Sequence, residues 1–575
     1  MLRLFKYLKP YALMVALALL MEFASSMAEL SLPALMSVIV DEGVATGDIA
    51  LIWRTGARML AIAFIGVAAN LTGGFFAARS AMGFGKTLRS KVFSRVSSFS
   101  LRELDRFGTS SLITRSTNDI TQVQQVTFMM QRMMAKAPIM AIGGIAMALA
   151  TEPRLAWILL VVIPILGAAI VIIALKGLPL FKSIQAKIDA LNRVMRENLS
   201  GIRVVRAFDR VEHERARFDG VNADLTATSL KVNRIMAFVP AFITVMMNLT
   251  SVMIVWFGGR EVGSGAIRIG SLMAFIQYAA HIMFSVVMVS VIFIMVPRAQ
   301  VSAERVNEVL DVEPEIDDPA SPVRPVEAKG RVEFRNVDFG YDGASEPAVK
   351  DVSFVAEPGT TTAIIGGTGS GKSTLINLLA RFYDVKDGAV LVDGVDVRDM
   401  SQETLRSYLG LAPQNATLFS GTIAENLRFG RDEATDDELA EAAAIAQASA
   451  FIAEKDGGME ATLSQGGVNV SGGQKQRLSI ARALARKPKI YLFDDSFSAL
   501  DFKTDARLRS ALRKKTGDAT VIIVAQRVGT IRDADQIVVL DEGRVVGKGR
   551  HAELMATCAV YKEIVASQLS AEEAV

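Results

Sequence analysis

Two short stretches carry the residue types that phosphate chemistry needs. "GGTGSGKST" fits the pattern G-x-x-x-x-G-K-[ST] with Gly366, Gly367, Thr368, Gly369, Ser370, Gly371, Lys372, Ser373 and Thr374. Its glycines let successive backbone N–H groups curl around an anion, and a following helix adds the positive potential of its N-terminus. Lys372 is placed to neutralise outer phosphates, and the Ser373 hydroxyl to ligate Mg²⁺. The second stretch, "KIYLFDDSFSALD", is an apolar run ending in Asp494 and Asp495, with Asp501 close behind. Carboxylates so close at the end of a buried strand demand a counter-charge. A phosphate loop also needs a second strand that ends in an acid to hold Mg²⁺, and Asp494 supplies it.

These residues require strands and helices in a definite order, and the flanking sequence provides them. "TTAII" precedes the glycine loop as a strand and "TLINLLARF" follows as a helix. From Arg331 onward, β-rich runs such as "RVEFRNVDFGY" and "VIIVA" alternate with helical patterns, so residues 331–575 are expected to form an α/β nucleotide-binding domain. "DVEPEIDDPASPVRPVEAKG", dense in Pro and acids, places a linker at 313–330.

Residues 1–312 have a different character. The 575-residue chain is 51% hydrophobic with a mean hydropathy of +0.33, too apolar for an ordinary soluble enzyme. Six apolar stretches approach or exceed the ~20 residues that cross a bilayer: Tyr11–Val40, Met59–Ala77, Ala137–Ala150 with its flanks, Leu155–Leu175, Ile235–Phe257 and Leu272–Val296. The first resembles a signal peptide at its start. Its apolar run continues to Val40 without a small-residue cleavage site, so it is expected to remain as a membrane helix. The expected fold is therefore an all-α six-helix transmembrane domain followed by an α/β phosphate-loop domain.

Lys and Arg concentrate before the first stretch, between the second and third, and between the fourth and fifth, which puts both termini and the nucleotide-binding domain in the cytoplasm. "SLRELDRFGTSSL" and "DRVEHERARFDG" are the expected turning points of the two long cytoplasmic connections. The single cysteine, Cys558, excludes an internal disulfide, and a net charge of +3 gives no argument for nucleic acid.

With these elements in place, the chain resembles the ATP-binding cassette transporters, specifically half-transporters with the exporter-type membrane fold, over nearly its whole length. The most specific motif is "NVSGGQKQRLSIARAL", in which Ser471, Gly472, Gly473 and Gln474 match the family signature. The resemblance implies ATP and Mg²⁺ as cofactors. It implies that Tyr341 stacks on adenine, that Gln414 senses Mg²⁺ beside Ser373 and Asp494, and that Asp501 acts across a dimer interface. In such dimers each ATP lies between one subunit's phosphate loop and the other's signature.

Two positions depart from the family pattern. Asp495 stands where Glu usually polarises the attacking water, and Gln526 stands where the family usually has His; the remaining histidines, His213, His281 and His551, lie elsewhere. The shorter acid retracts its carboxylate by roughly an ångström, and misplacement of that size costs about 10²-fold. Gln can hydrogen-bond a γ-phosphate but carries no transferable proton at neutral pH. The expectation is a weakened ATP site beside an intact signature, hence a heterodimer whose partner half-transporter carries Glu and His at these two positions.

The transported compound is less legible. Glu22 and Glu29 lie one above the other in the first apolar helix, and intramembrane acids point either to function, here for cationic amphiphiles, or to pairing with a neighbouring helix. Asn248, Gln277 and His281 are further candidates. The leading expectation is ATP-driven export of hydrophobic or amphiphilic compounds, drugs or lipids, across a bacterial cytoplasmic membrane. A mainly regulatory ATP-binding subunit, a siderophore-type importer on the exporter fold and a homodimeric exporter stand as alternatives.

Overall fold

The computed structural model describes residues 1–568, apart from the side chains at 174, 177, 178, 181, 182 and 290–294. The chain divides into two compact units: Met1–Ser97 with Gly108–Glu313, and Ser98–Phe107 with the chain from Pro314 on.

The first unit is helical. Among the described residues, six helical runs are long and apolar enough to cross a membrane: Leu2–Val44, Ile49–Ser97, Thr109–Thr151, Pro153–Ile173, Val211–Gly263 and Ile269–Val289. The third run is far longer than its apolar stretch suggested, and Arg132 and Lys136 fall inside it. Helix Val211–Gly263 has 53 residues, about 80 Å of length against a hydrocarbon core of about 30 Å. Much of it must therefore lie outside the bilayer, as must part of the 45-residue helix Ala156–Ser200 that packs along it. The turn between these two lies at Gly201–Arg210, around the short helix Ile202–Ala207, which is earlier than "DRVEHERARFDG" suggested. The chain reverses there at the left-handed Asp209, φ +50°, and at Gly201, where a Cβ would meet the Glu197 carbonyl oxygen at 2.9 Å.

The second unit is built on a six-stranded sheet. Its order is Arg544–Gly549, Gln536–Asp541, Thr361–Gly366, Thr520–Val524, Ile490–Asp494, Leu409–Ala412, parallel except for the first strand. Ile490–Asp494 and Thr520–Val524 are buried along their whole length. This is what uninterrupted apolar strands achieve when both faces of a parallel sheet are covered. A second sheet is antiparallel, in the order Val349–Ala356, Val332–Phe339, Asp387–Val392, Val395–Asp396.

Two segments join this unit that composition alone would not place there. The expected linker lies against the domain, with Val323 N–H donating to the Asp399 carbonyl at 2.8 Å and Gln402 N–H to Asp318 at 2.9 Å. The short helix Leu101–Phe107 is the first expected turning point. Its Arg102 pairs with Asp342 and Glu315, its Glu103 accepts from Glu315 N–H at 3.2 Å, and Tyr383 donates to its Asp105 at 2.9 Å.

Candidate functional site

The strand Thr361–Gly366 runs into the glycine loop, and helix Lys372–Leu379 starts directly after it. Gly371 caps that helix with φ +94°, and a Cβ there would meet the Ala348 carbonyl oxygen at 2.5 Å. Only glycine fits a position that is both left-handed and this close to backbone. Gly367, Thr368 and Gly369 form the exposed crest of the loop, whereas Ser370, Lys372 and Thr374 are buried. Lys372 Nζ donates to the carbonyls of Gly366 at 2.9 Å and Gly367 at 2.6 Å. The ammonium thus lies inside the loop that would enclose an anion. Burial lowers its pKa, against the attraction of Asp495 and Asp494.

Parallel pairing of Ile490–Asp494 with Thr520–Val524, itself beside Thr361–Gly366, brings the acid to the phosphate loop. Ser373 Oγ donates to Asp494 Oδ1 at 2.9 Å. These two oxygens fit a hard cation such as Mg²⁺, which favours one or two protein oxygens plus phosphates. Burial raises the Asp494 pKa more than Ser373 and Lys372 lower it, so a cation would relieve an electrostatic cost. Bound Mg²⁺ would supply charge neutralisation of the phosphates. Gln414 follows the neighbouring strand Leu409–Ala412 at the same end of the sheet, exposed on its loop.

Asp495 is buried and left-handed at φ +46°, a conformation that Asp tolerates better than most residues. Its Oδ2 accepts from Gln526 Nε2 at 2.9 Å, so the two residues that depart from the family pattern are direct partners. Burial raises the Asp495 pKa, opposed by Ser498, Gln526 and the nearby charges. Sequence reasoning missed what holds Gln526. Gln568, at the end of the last described helix, donates to the Gln526 carbonyl at 2.7 Å and accepts from Val528 N–H at 2.9 Å. Arg527, between those contacts, donates to the Leu500 carbonyl at 3.2 Å, beside Asp501.

Tyr341 packs beside the loop. Its ring meets Tyr383 edge-on with centroids 5.4 Å apart, and its hydroxyl lies 3.1 Å from that of Thr374. Asp501 caps helix Phe502–Lys515, accepting from Thr504 N–H at 2.9 Å, and that bond holds its carboxyl below the usual range. The signature forms a capping box: Ser471 Oγ accepts from Gln474 N–H at 3.3 Å and Gln474 accepts from Ser471 N–H at 3.0 Å. Ser471 and Gly472 are exposed, Gly473 and Gln474 partly so, at the start of helix Gly472–Ala485. That leaves backbone donors at a helix N-terminus facing outward, as a second anion site would.

In the membrane unit, Glu22, Glu29 and His281 come together, but with bases that the sequence reading did not single out. Arg132 faces Glu22, while Lys136 and His281 face Glu29. Arg132 and Lys136 lie just before the apolar run Ala137–Ala150, in the flank that hydropathy by itself does not characterise. Asn248 and Gln277 are exposed and take no part in these pairs.

Comparison with known proteins agrees with this geometry. Residues 15–287 match the family described as the ABC transporter transmembrane region, and residues 349–498 the one described as ABC transporter. An uncharacterised ABC transporter ATP-binding protein of Mycobacterium tuberculosis is 45% identical over 98% of this chain and 97% of its own length. A protein of Mycobacterium bovis named as a fatty acid ABC transporter ATP-binding/permease protein is 36% identical over 83% of this chain and 75% of its own. A bacterial Atm1-family ABC exporter solved with ATP bound superposes with a TM-score of 0.80 at 26% identity, covering 98% of this chain and 99% of that one. The chain belongs to the ABC transporters: a multi-pass membrane protein with the exporter-type fold whose ATPase domain couples ATP hydrolysis to transport.

Proposed function

We propose that this chain is one half of a heterodimeric exporter in a bacterial cytoplasmic membrane, with both termini cytoplasmic. It moves hydrophobic or amphiphilic compounds, acyl lipids among them. Its own ATP site turns over slowly, and its signature completes the faster site of the partner. The observation that carries this reading is the 2.9 Å bond from Gln526 to Asp495. A general base must reach water with a free, basic oxygen. Here one oxygen of the shortened acid is engaged by an amide that cannot accept its proton onward. The signature, in contrast, keeps its capping box and its outward donors. A homodimer would repeat the engaged acid in both sites.

Two further features support a partner and a substrate class. Val204 and Phe208, at the turn between helices Ala156–Ser200 and Val211–Gly263, are 61% and 74% exposed, an apolar pair suited to burial against another subunit. The relative named as a fatty acid transporter supports an acyl cargo. ATPase measurements on the purified pair test the asymmetry. Asp495→Ala is expected to leave most turnover intact, whereas replacing the partner's corresponding Glu abolishes it. Equal losses from the two changes would refute a slow site here.

A further inference from the structure

Four charged side chains and a histidine meet within the membrane-spanning helices. Glu22 and Glu29 come from helix Ala12–Val38, Arg132 and Lys136 from the run Thr109–Thr151, and His281 from Ile269–Val289. The two acid–base pairs are built differently. Glu22 is 1% exposed, and its Oε2 lies 3.6 Å from Arg132 Nε, while Arg132 also donates to Asn70 O at 2.9 Å and Oδ1 at 3.2 Å. That pair is tied into a third helix and closed. Glu29 instead spans two nitrogen groups, with Oε2 2.8 Å from Lys136 Nζ and Oε1 3.8 Å from His281 Nδ1. The side chains of Lys136, His281 and Glu29 are 19%, 26% and 37% exposed, so this group is open and the acid is its most accessible member.

We propose that Lys136 and His281 form the binding site for the carboxylate head of a long-chain amphiphile, and that Glu29 occupies it as an internal stand-in when no ligand is bound. This rests on the amphiphile reading above and names the head group. The two oxygens of one carboxylate face nitrogens from two different helices, the Lys136 ammonium at 2.8 Å and the His281 ring at 3.8 Å, a cradle already shaped to that group. An unpaired cation inside a membrane is costly, so Lys136 keeps an anionic partner. A carboxylate ligand exchanges one ion pair for another as Glu29 leaves toward its open side. An alcohol of the same chain length cannot replace Glu29 without leaving Lys136 unpaired. The helices that carry Lys136 and His281 also bring Met129, Met130, Met133 and Met295 together around a small apolar cavity of about 10 Å³, too small to hold a tail as it stands but lined by unbranched, polarisable side chains that can re-pack around one.

The test is fluorescence titration of cis-parinaric acid into the full-length chain in lipid nanodiscs, with oleate and oleyl alcohol as competitors. Removing the internal competitor with Glu29→Gln is expected to tighten binding about tenfold, and Lys136→Gln to weaken it about tenfold, each worth about 1.4 kcal/mol. Lys136→Arg is expected to retain binding, and oleate, but not oleyl alcohol, to displace the probe from the wild type. Shifts of the same sign in the two Gln variants mean an ion pair that only fastens two helices, and overturn the site. Should a Gln variant fail to fold, displacement of the probe by oleyl alcohol as readily as by oleate overturns it on the wild type alone. Either result leaves an amphiphile transporter standing, whereas no binding of either acid to the wild type removes both the site and the acyl cargo.

Discussion

Gln526 and Asp495 are hydrogen-bonded at 2.9 Å, from the ends of two adjacent parallel strands. The pairing makes the two departures one local change: the amide satisfies an acid that is too short to reach as a glutamate would. Gln568 fixes the backbone carrying that amide from both sides of Arg527, so the contact is held and not incidental.

Restoring both residues should restore turnover. Asp495→Glu with Gln526→His is expected to raise hydrolysis from this site about 10²-fold, the scale of an ångström-sized misplacement. The measurement is steady-state ATPase in a transporter whose other site has been inactivated. An unchanged rate would mean that these two residues do not slow this site.

Asp494 should make the nucleotide-free chain less stable as pH rises. Burial holds its folded pKa above the unfolded value, so the folded chain binds more protons, and stability falls as pH climbs from the unfolded value through the folded one. Asp494→Asn should therefore raise the thermal midpoint without nucleotide at neutral pH and flatten its pH dependence, while abolishing Mg²⁺-dependent hydrolysis. Thermal unfolding across the acid range checks the slope.

Tyr341 should contribute through its ring. Stacking of a base on an aromatic is worth about 1–3 kcal/mol, so Tyr341→Ala is expected to weaken ATP binding by roughly 5- to 150-fold. Tyr341→Phe, which gives up only the 3.1 Å contact with Thr374, should stay close to the wild type. A fluorescent nucleotide analogue in the absence of turnover reads the difference.

Gly371 and Gly367 should differ in what alanine does to stability. Alanine at 371 meets both a left-handed backbone and the Ala348 carbonyl, an expected loss of about 1–3 kcal/mol. Alanine at 367 points into open space and should leave the unfolding midpoint unchanged. Comparing the two melts without nucleotide separates strain from lost binding.

What the sequence could show was whatever is contiguous. The phosphate loop, the acid-ended strand, the signature and six apolar stretches each announce themselves within a few to some twenty residues, because local backbone geometry and hydropathy are properties of short segments. Gly201 at the reversal is a weak local signal beside the dense charge of residues 209–220, so the turn is legible in the sequence only to within several residues.

Tertiary structure decided which separated residues meet. Arg132 and Lys136 stand at the edge of the third apolar stretch, and one continuous helix, Thr109–Thr151, lays them against Glu22 and Glu29 of another. Ser98–Phe107 follows a membrane helix in sequence but joins the nucleotide-binding unit through Arg102, Glu103 and Asp105. The bond between Gln526 and Asp495 exists because their strands lie side by side. Charge pairing and sheet order bring together positions that no local pattern links, so short segments carry the parts and their chemistry, while the folded chain shows which acids are free and which are already answered.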